Sequence, residues 1–210
     1  HIAQALTPEI VWLVSKIRKI PYVTHVHGDA DPCGKLGFLL PLYKRFFMKI
    51  TLKDTNKVVC LSEEYKNIIS KKYSIKKKKI VILPNGVDES FFVNKKEITE
   101  KSNNLLFVGR LFKEKNLDKI INAIPLLKSK VIFDIVGEGE KREEIEQLIR
   151  EKNLKNVILH GRKEGRDLIN FYKSAEIFIL VSNKEGLPLT LLEAMATGTP
   201  IIASDVQGIR

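Results

Sequence analysis

Short apolar runs recur along this chain, and each is three to six residues long. They are Tyr22–Val26, Val58–Leu61, Ile80–Leu83, Leu105–Val108, Val131–Val136, Val157–Leu159, Ile177–Val181 and Ile201–Ala203. Continuous apolar runs of this length, bounded by polar residues, predict strands that are buried on both faces. Helical patterns separate several of them, and this alternation is typical of parallel sheets covered by helices. The sequence therefore predicts an α/β fold.

Three of the intervening stretches carry a helical pattern of apolar residues. Their apolar side chains recur at spacings of three and four residues: Leu117, Ile120, Ile121 and Ile124; Ile145, Leu148 and Ile149; Leu191, Leu192 and Met195. Asn116 stands where the first of these helices would be capped. Gly198, with Pro200 beyond it, marks the end of the third helix. We therefore expect amphipathic helices between the strands.

A polar segment rich in lysine and glutamate divides the strands into two groups. It covers residues 94–104 and follows the turn Pro84-Asn85-Gly86. We predict two Rossmann-like parallel-sheet domains, 1–93 and 105–210, joined by this linker. The first has about three strands where a doubly wound domain has about six. Because the second stops at Arg210 and the chain begins at His1, we expect both domains to be incomplete and both termini to be missing.

The formal charge of +11 raises the question of a polyanionic partner. Residues 35–79 hold thirteen Lys and Arg against three Asp and Glu, and the rest of the chain is nearly neutral. Such a patch attracts phosphates, anionic lipid headgroups or acidic glycans without selecting among them. A solvated lysine-rich face is an equally good interpretation. Because neither a recognition motif nor clustered aromatics accompany the patch, we expect no nucleic-acid partner.

No stretch approaches the ~20 apolar residues of a membrane span. The stretch Phe38–Lys49 mixes apolar and basic residues, which favours a core-packing helix, with peripheral contact to an anionic membrane as the alternative. Cys33 and Cys60 are far apart and lack the spacing of a zinc site or disulfide framework, as is typical of a reducing compartment. We expect a cytoplasmic protein, with the cytoplasmic face of a membrane as the alternative.

The stretch Glu185–Pro200 carries the most specific chemical pattern in the chain. It follows a predicted strand, and Gly186 permits a tight turn and the close approach of a ligand. Pro188 suits the first helical position, because its missing N–H is not needed there. The N–H groups of Leu189 and Thr190 would then face an anion, and a diphosphate is a natural occupant.

Two carboxylates belong to this stretch. Glu193, on the second turn of the predicted helix, can accept paired hydrogen bonds from vicinal hydroxyls such as those of a ribose. Glu185, in the preceding loop, can reach a different set of hydroxyls. Two glutamates separated by seven residues are usually unrelated surface groups, so their meaning depends on the residues around them.

The surrounding residues resemble the E-x7-E signature of family 4 retaining glycosyltransferases. The resemblance lies in Glu185-Gly186-Leu187-Pro188, Glu193-Ala194-Met195-Ala196 and Gly198-Thr199-Pro200, which occur in this order. It implies the two-domain GT-B fold and a site for a nucleotide diphospho-sugar donor that needs neither metal nor other cofactor. It also implies that Glu185 positions the sugar, and that the donor is bound by Gly186, Leu187, Pro188, Leu189, Thr190 and Glu193. Transfer would proceed by same-face attack, without an enzymic nucleophile.

A second segment resembles the phosphate-binding strand end of the same family. It is Phe107-Val108-Gly109-Arg110-Leu111, followed by Lys115. The resemblance implies that Gly109 leaves room for the donor while Arg110 and Lys115 neutralise the leaving diphosphate. The family usually has Gly after this lysine, whereas this chain has Asn116.

Further segments resemble the family in both domains. Gly137-Glu138-Gly139 resembles its glycine-rich turn, and His160-Gly161-Arg162 resembles the segment beside the nucleotide base, which implies a donor contact for Arg162. Val23–Gly28 resembles the strand that ends in a histidine near the donor sugar, which implies that His27 hydrogen-bonds this sugar, while we expect His25 to point into the core. Asp29-Ala30-Asp31 has the spacing of a metal-binding triplet, and we interpret it as a loop.

The expected function is transfer of a hexose-type sugar from a nucleotide diphospho-sugar to a glycan or lipid-linked acceptor. The residues expected to carry catalysis are His27, Arg110, Lys115 and Glu185. We expect the fragment itself to be inactive. A non-catalytic nucleotide-sugar-binding module is the main alternative, and a basic polyanion-binding protein is a weaker one. The sequence does not specify the base, the sugar, the acceptor or the oligomeric state.

Overall fold

The computed structural model describes residues 7–27, 44–92 and 103–210. The described part of the chain divides into two compact units, His1–Asn85 and Gly86–Arg210. The linker predicted at 94–104 lies almost wholly outside the described residues. The domain boundary expected after residue 93 stays a prediction, although Phe91, which was expected in the first domain, packs in the core of the second unit.

The first unit contains a parallel sheet of three described strands in the order β1-β2-β3. In chain order its elements are α1 (Thr7–Arg18), β1 (Val23–Val26), a π-helical turn (Lys44–Met48) continuing into α2 (Lys49–Asp54), β2 (Lys57–Cys60), α3 (Glu63–Tyr73) and β3 (Ile80–Ile82). Val23 pairs with Lys57 and Val58 with Ile80. The strands are therefore in parallel register.

The local sequence of the first unit explains where its helices begin and what they cover. Ser62 caps α3, because its hydroxyl accepts a hydrogen bond of 3.2 Å from the backbone N–H of Tyr65. Leu52 of α2 and Val58 of β2 are fully buried in the core of this unit. Within β1, Thr24 and Val26 are buried and His25 is half-buried, so the expectation that His25 points into the core stays a prediction.

The second unit contains a five-stranded parallel sheet with the order β6-β5-β4-β7-β8. Its elements are β4 (Asn104–Val108), α4 (Leu117–Ala123), β5 (Ile132–Val136), α5 (Arg142–Glu151), β6 (Val157–Gly161), α6 (Gly165–Ser174), β7 (Ile177–Leu180), α7 (Leu189–Ala196) and β8 (Ile201–Ala203). Phe107, Phe133 and Phe178 are fully buried on three of these strands. Two parallel sheets with helices confirm the predicted α/β class of two Rossmann-like units.

The strand order of the second unit has one reversal that matters for function. From β4 the chain moves outward through β5 to β6, and then returns to the other side of β4 as β7 and β8. Between β4 and β7 the connections therefore leave the sheet in opposite directions. In open α/β sheets, ligands bind in the crevice at the carboxyl ends of the strands beside such a reversal.

Candidate functional site

The carboxyl ends of β4 and β7 meet at this reversal and carry most of the residues singled out from the sequence. Strand β4 continues into Gly109 and Arg110, and a short 3-10 turn, Lys113–Lys115, follows. Strand β7 continues into a loop that contains Glu185 and reaches Pro188. Two stretches about 70 residues apart in sequence thus form one edge of the sheet.

Glu185 lies in this edge between a cation and a hydroxyl. Its Oε1 is 2.5 Å from the ammonium nitrogen of Lys115, and the Ser182 hydroxyl donates to the same oxygen at 2.5 Å. The side chains of Lys115 and Glu185 are only 17% and 11% exposed, so water screens the ion pair weakly. The structure brings together two residues predicted for different tasks, with Lys115 balancing the charge of Glu185.

Asn116 occupies the position before α4 but does not cap it through its side chain. Its backbone has φ 48° and ψ 39°, the left-handed region. Its amide instead donates 2.8 Å hydrogen bonds to the carbonyl of Val181 and to Oδ1 of Asn183, in the loop after β7. The capping prediction is wrong, because a residue with left-handed backbone aims its side chain away from the first helical turn.

Glycines allow two neighbouring turns to lie against the loop that follows β4. A Cβ on Gly137, which has φ 144°, would overlap the carbonyl oxygen of Gly109, and one on Gly139 would lie 2.5 Å from the carbonyl oxygen of Leu111. The backbone N–H of Gly109 in turn donates to the carbonyl of Val136 at 3.0 Å. Gly137 and Gly139 therefore serve close backbone packing behind the site.

The loop after Glu185 is held by the end of the described chain. The backbone N–H of Glu185 donates to the carbonyl of Gln207 at 3.3 Å. Gly208 has φ 84°, and a Cβ there would overlap the carbonyl oxygens of Glu185 and Gly186. Gln207 and Gly208 therefore support Gly186 and Glu185 from behind, a role that no sequence pattern indicated.

Helix α7 begins one residue later than expected. Pro188 takes the N-cap position, with φ −68° and ψ 126°, and Leu189 is the first helical residue. The extended ψ of Pro188 places it outside the helix, so its assignment to the first helical position is wrong. Among the described residues, none accepts a backbone hydrogen bond from the N–H of Leu189 or Thr190. The N–H groups of Leu189 and Thr190 therefore lie at the positive end of the helix dipole without a backbone acceptor among those residues.

Glu193 projects from the second turn of α7 into a different environment. The hydroxyl of the fully buried Tyr172 donates to its Oε2 at 2.7 Å and also lies 3.2 Å from the Thr190 carbonyl. Burial raises the pKa of Glu193, and the hydrogen bond from Tyr172 partly opposes this rise. Burial, reinforced by the Glu193 charge, also raises the pKa of Tyr172, so its hydroxyl remains a neutral donor.

Three predicted residues stand apart from this arrangement. Arg110 is exposed, and its guanidinium carbon lies 4.6 Å from the ring centre of Phe112. Arg162 follows β6, is exposed and forms an ion pair with Glu164. His27 follows β1 in the first unit, where its ring centre lies 3.9 Å from that of His25.

The structure also adds residues that the sequence patterns did not indicate. Ser182 and Tyr172 bind the two glutamates directly, and the Ser204 hydroxyl donates to the Ser182 carbonyl at 2.7 Å. Ser182 and Ser204 share one signal, because each follows an apolar run and so lies at the carboxyl edge of the sheet. Tyr172 had no comparable signal, since a buried tyrosine on a helix is an ordinary core residue.

Over residues 7–27, 44–92 and 103–210, no three His, Cys, Asp or Glu side chains come close enough together to hold a metal ion. The triplet Asp29-Ala30-Asp31 lies outside the described residues. None of the described helices combines the length and the apolar composition that a membrane crossing requires.

Two family descriptions match consecutive parts of the chain. The description "Glycosyl transferases group 1" matches residues 88–210, and "Glycosyltransferase Family 4" matches residues 1–91. The first match covers more than half of the chain and contains the whole arrangement around Glu185 and Glu193.

Similar proteins are found in bacteria. One is UDP-Gal:alpha-D-GlcNAc-diphosphoundecaprenol alpha-1,3-galactosyltransferase of Escherichia coli, 34% identical over 99% of this chain and 58% of that protein. Another is the O-antigen chain mannosyltransferase RfbU of Salmonella typhimurium, 30% identical over 81% of this chain and 48% of that protein. The chain thus spans about half the length of the curated relatives that it matches.

Solved structures share the fold at low sequence identity. HepE of Anabaena, crystallised with UDP and glucose, has a TM-score of 0.79 and 16% identity over 96% of this chain and 57% of that chain. Sucrose-phosphate synthase of Thermosynechococcus elongatus has a TM-score of 0.78 and 20% identity over 95% of this chain and 54% of that chain.

Proposed function

This chain belongs to the family Glycosyl transferases group 1, and we propose that the protein of which it is part transfers a hexose-type sugar from a nucleotide diphospho-sugar to an acceptor hydroxyl. The observation that carries the proposal is the edge formed by the ends of β4 and β7. There a charge-balanced carboxylate, Glu185, lies four residues before the first residue of a helix whose first N–H groups have no backbone acceptor among the described residues. A hydroxyl-binding group beside an anion-binding group suits a phosphorylated sugar.

In this proposal the donor diphosphate lies at the beginning of α7. The N–H groups of Leu189 and Thr190 and the helix dipole stabilise the charge that grows on the leaving diphosphate, and Arg110 and Lys115 add two cations. Arg110 is exposed, and its side chain would move from the ring of Phe112 to reach the phosphates. The Lys115 ammonium already lies beside Glu185, so it would serve both the carboxylate and the diphosphate.

The two glutamates would bind two different parts of the donor. Glu185 accepts hydrogen bonds from hydroxyls of the transferred sugar, and its orientation is set by Lys115 and Ser182. Glu193 accepts from the vicinal hydroxyls of the ribose, with Tyr172 holding one of its oxygens. The nearby backbone of Gly109, Gly186, Leu187 and Pro188 and the side chain of Arg162 complete the proposed donor contacts.

We further propose that transfer retains the anomeric configuration and needs no metal. Same-face attack, with the donor phosphate helping to deprotonate the acceptor, requires positioning and charge stabilisation rather than an enzymic nucleophile. In the first unit, His27 follows the carboxyl end of β1 and would hydrogen-bond the transferred sugar. The residue is exposed.

The acceptor is proposed to be a glycan or a lipid-linked sugar. The Escherichia coli relative is named for a diphosphoundecaprenol-linked acceptor and the Salmonella relative for the O-antigen chain. A protein acting on such acceptors works beside a membrane, so we propose a cytoplasmic protein that contacts the cytoplasmic face through its basic first unit.

The described part of the basic segment 35–79 supports that membrane contact. Five lysines line a cavity of about 540 Å³ where β2 and β3 begin: Lys53, Lys57, Lys76, Lys78 and Lys79. Nearby in sequence, Phe46 and Phe47 are both 54% exposed, whereas Met48 is buried. Exposed aromatics together with lysines are suited to an interface with anionic lipid. Sedimentation of the full-length protein with phosphatidylglycerol vesicles at low salt tests this, and no sedimentation would remove the proposal.

The donor assignment is tested by titrating the full-length protein with UDP-sugars and GDP-sugars in a calorimeter. A transfer assay with and without EDTA, analysed for the anomeric configuration of the product, follows with the donor that binds. We expect binding, turnover that EDTA does not reduce, and a retained configuration. Binding without turnover on any glycan or lipid-linked acceptor would favour a non-catalytic nucleotide-sugar-binding module. Salt-sensitive binding to polyanions alone would favour a polyanion-binding protein.

A further inference from the structure

Asn116 combines a backbone conformation and a burial that are unusual for its residue type. Its φ of 48° lies in the left-handed region, which Gly adopts freely and Asn tolerates better than most residues. Its side chain is nevertheless buried, with 7% of the residue exposed. A buried amide is costly unless it is hydrogen-bonded, so the contacts of this side chain indicate what it does there.

Four contacts join the turn that contains Asn116 to the loop that follows β7. The amide of Asn116 donates to the carbonyl of Val181 and to Oδ1 of Asn183, each at 2.8 Å. The backbone N–H of Asn183 donates to the carbonyl of Glu114 at 2.9 Å. Lys115 completes the set with its 2.5 Å ion pair to Glu185. The two loops are therefore connected at Val181, at Asn183 and at Glu185 itself.

The neighbouring positions of Lys115 and Asn116 make these contacts depend on one another. When Asn116 holds Val181 and Asn183, the loop after β7 stays against the turn that carries Lys115. That arrangement leaves Glu185 within reach of both Lys115 and Ser182. A glycine at residue 116 would keep the backbone conformation and leave both acceptors without the amide.

We infer that Asn116 is a positioning residue of the donor site, whose side chain clamps the two loops together and so sets the orientation of Glu185. The inference rests on the proposed function, since it concerns the same nucleotide-sugar site. The amide of Asn116 contacts the loop after β7, at Val181 and Asn183. It acts through Glu185, which contacts the sugar and not the nucleotide.

Asn116→Gly in the full-length protein tests this inference, because it removes the amide and keeps the left-handed backbone. Asn153→Gly is the matched control: Asn153 has φ 51°, is exposed and lies after α5. The affinities to compare are those for nucleotide sugars (UDP-sugars and GDP-sugars) and for UDP and GDP alone, together with kcat and the donor KM. We expect Asn116→Gly to weaken nucleotide-sugar binding by about tenfold, as two lost hydrogen bonds suggest, and to leave UDP or GDP binding nearly unchanged.

This split separates positioning from a general structural effect. Equal losses for the nucleotide and the nucleotide sugar, or no loss for either, would overturn the inference. Asn183→Ala, which removes one of the two acceptors, should give a smaller loss in the same direction. If the unmodified protein binds no nucleotide sugar, the proposed function fails first, and the inference fails with it.

Discussion

The loop that carries Glu185 and the helix that carries Glu193 place the same side chain in two electrostatic environments. Glu185 is bound by an ammonium and a hydroxyl, each 2.5 Å from one of its oxygens. Glu193 is bound by the neutral hydroxyl of Tyr172 at 2.7 Å, and burial raises its pKa. One carboxylate is balanced by a cation, whereas the ionised form of the other is disfavoured by desolvation.

This difference indicates a division of tasks within the proposed donor site. A carboxylate between Lys115 and Ser182 has a fixed direction and can orient a sugar. A desolvated carboxylate whose polar partner is a tyrosine gains more from incoming hydroxyl donors, and its binding strength depends on protonation. Glu185 should therefore dominate turnover, and Glu193 should dominate the pH dependence of donor binding.

The largest effect is expected from removing Glu185. In the full-length protein, Glu185→Ala should lower kcat by about 100-fold or more, because the sugar loses its orienting contact and Lys115 loses its partner. Glu176→Ala, at an exposed position one residue before β7, serves as the control in the same transfer assay. Near-normal turnover of Glu185→Ala would show that its charge-balanced environment is structural and not catalytic.

Arg110→Ala tests whether the exposed guanidinium of Arg110 acts together with Lys115 on the diphosphate. We expect kcat/KM to fall by about ten- to 100-fold, because one cation is withdrawn from the leaving diphosphate. Arg110→Lys should recover part of the loss, while Arg166→Ala, at an exposed position of α6, should have no effect. If Arg110→Ala behaves like Arg166→Ala, Lys115 and the helix terminus carry the charge without it.

Gly208→Ala tests how rigidly the Glu185 loop is held. A methyl group there would overlap the carbonyl oxygens of Glu185 and Gly186, so we expect the loop to shift and kcat to fall by about tenfold. The backbone strain should also lower the free energy of unfolding by about 1–3 kcal/mol. Gly198→Ala is the control, since φ is 68° there with no atom within 4 Å of the added Cβ. Equal activity of the two variants would show that the Glu185 loop need not be rigid.

The smallest effect is expected from Tyr172→Phe and concerns pH. Glu193 must be ionised to accept from hydroxyls, and its pKa lies above the ordinary value of 4.5, so donor binding should weaken as pH falls through that raised pKa. Removing the hydroxyl of Tyr172 removes a hydrogen bond that lowers this pKa. The loss of donor affinity at acidic pH should therefore occur at a higher pH in Tyr172→Phe than in the unmodified protein. In the pH range where the affinity falls, Tyr172→Phe should bind the donor a few-fold more weakly than the unmodified protein, about the effect of one hydrogen bond.

Calorimetric titration with the donor between about pH 5 and pH 8 measures how the donor affinity falls with pH. Tyr73→Phe is the matched control, because Tyr73 is a buried tyrosine of the first unit whose hydroxyl donates to the sulfur of Met48. Glu193→Gln should abolish this pH dependence of the donor affinity. If the donor affinity falls at the same pH in Tyr172→Phe and in the unmodified protein, the contrast between the two glutamates is contradicted.

Much of the fold could be predicted because strand signals are local. All eight apolar runs form strands, with bounds within two residues of those expected, since continuous Val, Ile, Leu and Phe residues suit strands buried on both faces. Three helices, α1, α3 and α6, lie where no helix was predicted. Helix α6 has apolar residues at spacings of three and four, Leu168, Phe171 and Tyr172, so its signal was present.

Contacts between distant parts of the chain could not be predicted from the sequence. Asn116 has the residue type of a helix cap, but its amide reaches Val181 and Asn183, 65 and 67 residues later. Lys115 has the residue type of a phosphate ligand, and that role stays a proposal, but no sequence pattern indicated its ion pair with Glu185. The turn after β4 and the loop after β7 lie side by side only because the strand order of the second sheet puts β4 next to β7.

Periodicity and turn chemistry were enough to establish the α/β class, the strands and the chemical character of the stretch around Glu185 and Glu193, since each depends on residues close together in sequence. The partners of the two glutamates depend on how parallel strands are ordered. Because strand pairing is non-local, a lysine 70 residues earlier and a tyrosine 21 residues earlier became neighbours through folding. Those partners, a cation for Glu185 and a neutral hydroxyl for Glu193, give two identical side chains different electrostatic environments.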